Sequence, residues 1–95
     1  MNLEIHPLAL REYEDAADWY VNISDRLASR FTSEVEETLT AIRRHPEQFA
    51  RLDSIHYLCL LSRFPYYVVH RLLGESVVVV ALRHRSQRHD VWQTR

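Results

Sequence analysis

The spacing of apolar residues changes after a loop near positions 46–55, which separates a helical first half from a strand-forming second half. Leu3, Glu4, Ile5 and His6 alternate as a short first strand that Pro7 ends, and Pro7 also suits the first turn of a helix. Leu10, Tyr13, Ala17 and Tyr20 then recur at spacings of three and four and predict one apolar helical stripe. Glu12, Glu14, Asp15 and Asp18 fall mainly on other faces, early in the helix where its dipole favours acids. Trp19 sits at the edge of the stripe or on the surface. Asn22-Ile23-Ser24 breaks this helix, and Ser24 is the candidate N-cap of the next. Leu27, Phe31, Val35, Leu39 and Ile42 form the clearest periodic pattern in the chain. Arg43 and Arg44 lie at the end of this second helix, and Pro46 stops it after His45. A loop this short predicts an antiparallel helical hairpin.

Residues 46–55 read as a loop, with Phe49 and Leu52 tucked against the core. Three strands follow, over Tyr57 to Ser62, Tyr66 to Leu73 and Ser76 to Arg83. Gly74-Glu75 suits a tight hairpin between the last two. The run Val77 to Leu82 is β-branched and continuous rather than alternating, as expected of a central strand covered on both faces. Val91 and Trp92 can pin a polar terminal segment. The expected fold is α+β in the order β-α-α-β-β-β, with a helical hairpin on one face of a small, mostly antiparallel sheet.

Composition bounds this picture without altering it. The 95 residues suit one domain spanning 1–95, and 46% hydrophobic with 26% charged residues is ordinary for a globular chain. No apolar run reaches the roughly 20 residues of a membrane-spanning helix, and the first residues do not resemble a signal peptide. Cys59 is the only cysteine and reads as a small buried hydrophobe, so a cytoplasmic location is expected. Charge adds more. The net charge of −1 divides into −5 over residues 1–50 and +4 over residues 51–95, and every one of the 12 cations is arginine. The sheet's free face and the C-terminal segment are therefore expected to carry an arginine-rich surface suited to nucleic acid or an acidic partner.

The segment Ser62-Arg63-Phe64-Pro65-Tyr66-Tyr67-Val68-Val69-His70-Arg71 resembles the signature of the RelE/ParE toxin superfamily. Gly74-Glu75, Val77 to Val80, Ala81-Leu82-Arg83-His84, Arg85, Arg88 and Trp92 continue it in the family's order. The resemblance implies the toxin of a type II toxin–antitoxin pair, held by a cognate antitoxin in a hetero-oligomeric complex. It leaves two kinds of target open. One branch cuts mRNA on the ribosome; the other, ParE-like, poisons DNA gyrase.

A metal-free ribonuclease needs a base, an acid and cations around the phosphate. His84, with Arg83, Arg85 and Arg88 beside it, is the candidate group for that chemistry. Against it, Tyr57 to Leu60 carries none of the basic residues of the ribonuclease branch, and Tyr67 stands where that branch has an arginine. The ParE-like reading requires only a binding surface, for which Arg63, Tyr67, Arg83, His84, Arg85, Arg88 and Trp92 are the candidates. Arg63 is also expected to hold the turn before Phe64-Pro65 through backbone carbonyls. No cofactor is implied. The six histidines are scattered without metal-ligand spacing, and a single glycine cannot build a phosphate loop. Both helices are acidic, which argues against a helix that enters a nucleic-acid groove.

Overall fold

In the computed structural model, which describes residues 1–87 and 91–95, α1 (Pro7–Val21) starts where His6 Nδ1 accepts the N–H of Leu8 at 3.1 Å. Helix α2 (Asp25–Arg44) starts at Ser24, whose hydroxyl accepts the N–H of Leu27 at 3.2 Å, as the sequence predicts. After α2 the chain makes one 3₁₀ turn (Pro46–Gln48) and a two-residue strand, β2 (Ala50–Arg51), within the segment expected to be loop. The remaining strands are β1 (Asn2–Ile5), β3 (His56–Leu60), β4 (Tyr66–Leu73) and β5 (Ser76–His84).

These strands form one sheet in the order β1-β5-β4-β3-β2. The first strand pairs parallel to β5, and every other pairing is antiparallel. Gly74, with φ of 61°, supplies the left-handed turn between β4 and β5. The valine run occupies a central strand, as expected. Val77 and Val79 join the core under the helices, whereas Val80 and Ala81 join a second cluster on the far face. The register between β4 and β5 slips by one residue near Val69 and His70: Val69 faces Ala81 and His70 faces Val79, which leaves Val80 as an extra residue in β5.

Phe31, Val35 and Ile42 of α2 lose all solvent contact beneath the hairpin. The Phe31 ring lies 4.9 Å from Tyr20, 5.2 Å from Phe64 and 5.3 Å from Tyr66, which ties both helices to the sheet. On α1 the stripe differs by one residue from the predicted one. Leu10 is 42% exposed, and Ala9 is buried in its place, with Ala16 and Tyr20. Small side chains at these positions let the helix lie close on β5, where a leucine would hold it away.

His70 anchors the end of α2 to the sheet. Its Nε2 donates to the Pro46 carbonyl at 2.8 Å, and its ring stacks on Tyr57 at 5.0 Å and meets Phe49 edge-on. Burial holds its pKa below the ordinary value of 6.5, partly offset by the bond to Pro46. The folded protein therefore keeps this imidazole neutral where the unfolded chain binds a proton. Its stabilising contribution is complete above about pH 6.5 and falls as the pH drops below that value, by at most about 1.4 kcal/mol per pH unit. Urea titrations between pH 7.5 and 5 should show this slope, and His70→Gln should reduce it; an unchanged slope in the variant would assign the effect elsewhere.

Candidate functional site

The sheet's far face is built by alternation. In β3, Leu58 and Leu60 point away from the helices; in β4, Tyr67 and Val69 do so. Residues 91–95 lie against this face, with Trp92 in its apolar cluster. Trp92 is 2% exposed and meets His56 edge-on at 4.8 Å, while both carboxylate oxygens of Asp53 lie 3.0 Å from His56 Nδ1. Leu52, Leu58, Leu60, Tyr67, Arg85 and Trp92 thus line a groove of about 320 Å³. Leu60 remains 54% exposed at its edge. The far face was expected to be a basic surface. Its centre is instead apolar, with Arg85 as the charged residue in the lining.

Arg83 explains part of that difference. It stands beside Tyr67 in register, but its Nη1 donates to Glu12 Oε2 on α1 at 2.6 Å. The same carboxylate receives both terminal nitrogens of Arg95, at 2.8 and 3.1 Å, and the backbone N–H of Leu82 at 3.2 Å. Arg95 also donates to the Val80 carbonyl at 3.0 Å. The geometry has a simple cause. Strand β1 covers the edge of β5 only as far as Val79, and Glu12 with Arg95 satisfies backbone groups beyond that point. Arg83 is thereby a structural cation. The phenol of Tyr67 is raised above its ordinary pKa by burial, with Arg83 and Trp92 acting in the opposite direction.

His84 lies on the other side of the sheet. It pairs with Tyr66, and their rings meet edge-on at 5.1 Å. Its Nδ1 accepts the N–H of Ser86 at 3.0 Å and lies 2.7 Å from the Ser86 hydroxyl. The neutral ring therefore carries its proton on Nε2, which offers no lone pair to a substrate hydroxyl. Arg63 is elsewhere again, in a separate cleft with Arg30, Ser33 and Glu34. The turn before Phe64 is held by Glu34, whose carboxylate accepts the N–H groups of Ser62 and Arg63 at 2.5 and 3.2 Å and the Ser62 hydroxyl at 3.0 Å. That was the role expected of the Arg63 guanidinium. Arg88 lies outside the described residues.

The fold thus brings together Tyr67, Arg85 and Trp92, fixes Arg83 beside them, and separates His84 and Arg63 from them. The model of the ParE toxin of the type II toxin–antitoxin system parDE matches residues 3–89. The chain belongs to the ParE toxin family. Among solved structures, a chromosomal ParDE system from P. aeruginosa is similar at 17% identity with a TM-score of 0.77, covering 88% of this chain and 95% of that one. The isolated E. coli RelE toxin is similar at 19% identity with a TM-score of 0.64, covering 98% and 92%. No curated protein matches. At these identities the two structures establish the RelE/ParE fold, and the family match makes this ParE relative the toxin of a type II system, for which an antitoxin is the implied partner. Among the described residues, no helix is long and apolar enough to cross a membrane, and no three His, Cys, Asp or Glu converge as metal ligands.

Sequence reading missed Leu52, Leu58 and Leu60, the apolar half of the groove. The alternation of Leu58 and Leu60 around Cys59 was the available signal for two of them.

Proposed function

We propose that this toxin acts by binding DNA gyrase rather than by cutting RNA, and that a cognate antitoxin neutralises it in a hetero-oligomeric complex. The observation that carries this reading is the dispersal of the candidate ribonuclease group. Arg83 is tied down by Glu12, which it shares with Arg95, and His84 faces the helix side with its Nδ1 engaged by Ser86. A phosphoryl-transfer site needs base, acid and cations within reach of one phosphate. A binding surface needs only shape, exposed apolar area and a few anchors. The groove around Leu60, Tyr67 and Trp92, with Arg85 in its lining, meets that requirement.

The test adds purified toxin to gyrase, ATP and supercoiled plasmid, and in parallel to a translating extract with a primer-extension readout. Gyrase-linked DNA breaks with intact mRNA are expected. Leu60→Glu or Arg85→Glu should reduce the breaks by about tenfold, as for loss of an interface anchor, while His84→Ala changes them less than about twofold. Codon-positioned mRNA cuts that His84→Ala abolishes would replace this reading with a ribosome-dependent ribonuclease.

A further inference from the structure

On the helix side, away from the far-face groove, a cleft of about 260 Å³ opens between α1 and the end of β5. Glu12, Asp15, Ala16 and Trp19 of α1 line it, with Tyr66, Leu82 and Gln87 opposite. Two of its features, Trp19 and Asp15, are unused by the fold. Trp19 is 63% exposed, a large aromatic surface left in water. The Asp15 carboxylate has no hydrogen-bond or ion-pair partner among the described residues, in contrast to Glu12 one turn earlier, which holds two arginines. Ala16 and Leu82 give the cleft an apolar floor between that charge and the aromatic rings.

An aromatic wall, an apolar floor and an unpaired carboxylate in one small cleft match the parts of an arginine side chain. The stem packs on apolar surface, the flat guanidinium stacks on an aromatic face, and its N–H groups meet a carboxylate. Around the cleft Glu12, Glu14, Asp15 and Asp18 stand against Arg11 and the two arginines that Glu12 holds, which leaves one negative charge in excess, so the local field favours a cation. We propose that this cleft receives an arginine from a basic, amphipathic segment of a partner protein. The cleft is separate from the proposed gyrase-contacting groove, and the two readings fail independently.

The test uses the whole chain labelled with ¹⁵N. Only two tryptophans are present, and Trp92 is buried, so the Trp19 indole N–H signal reports on the cleft while Trp92 serves as the internal reference. The probe is N-acetyl-arginine amide, with N-acetyl-citrulline amide as its uncharged isostere. A saturable shift of the Trp19 signal is expected with the arginine probe, about fivefold weaker with citrulline and about fivefold weaker in Asp15→Asn, as for loss of an exposed cation contact. Asp18→Asn should change the affinity less than about twofold. All three aspartate and tryptophan positions are on the surface of α1, so the variants keep the fold. An unmoved Trp19 signal, an equal response to citrulline, or full affinity in Asp15→Asn would overturn the proposal.

Discussion

Phe31→Ala is expected to destabilise the protein by about 3–5 kcal/mol, the range for removing a buried aromatic ring from a packed core. Phe31 has no solvent exposure, and its ring touches residues from α1, the β3–β4 turn and β4 at once. No single neighbour can move to fill the space without releasing another. Net stability for a domain of this size is on the order of 5–15 kcal/mol, so the variant should sit close to unfolding at 37 °C. Urea denaturation checks this through a lowered midpoint at unchanged slope. Leu10→Ala provides the contrast: this exposed leucine should cost no more than about 0.5 kcal/mol. Comparable losses at both positions would mean that α1 presents the other stripe to the sheet.

Glu12→Ala should cost about as much by a different route, about 3–5 kcal/mol, because it leaves paired charges without their counter-ion. The side chains of Arg83 and Arg95 are 14% and 10% exposed, and that of Glu12 is 17% exposed. The N–H of Leu82 loses its acceptor as well. Arg95 is three residues from Trp92, so the damage should spread to the terminal segment. Trp92 fluorescence should shift to the red in Glu12→Ala under conditions where the protein remains folded, while Glu14→Ala, on the exposed side of the same helix, leaves emission and stability unchanged. A Trp92 emission indistinguishable from the parent would show that the indole holds itself in place.

Elements of this protein are legible from sequence where the physics is local. The α2 stripe from Leu27 to Ile42, the Ser24 cap and the Gly74 turn depend on neighbours a few residues away, and each is found where it was expected. The face that α1 buries was less accessible. Ala9 and Leu10 are adjacent, and only the closeness of β5 decides that the smaller one goes inside. A strand of two residues has no periodicity to detect, which is why β2 was read as loop. The largest error concerned charge. Composition correctly placed seven arginines in the second half, but nothing near Arg83 in sequence signals a partner at Glu12, 71 positions away. Electrostatic pairing across the fold turned an expected cationic surface into a structural clasp and left leucines and Trp92 to define the groove.

The additional residue in β5 has an evolutionary implication. Val80 and Ala81 both look to the far face, while Val79 before them and Leu82 after them join the core, so deleting Val80 would restore plain alternation and leave every later residue on the face it now occupies. Arg83 would still stand beside Tyr67, and His84 would still pair with Tyr66 on the helix side. Loss of one residue from the regular stretch after the bulge would instead transpose every position that follows it. The bulge is thus the place in β5 where a single codon can be lost without changing which side chains meet the groove.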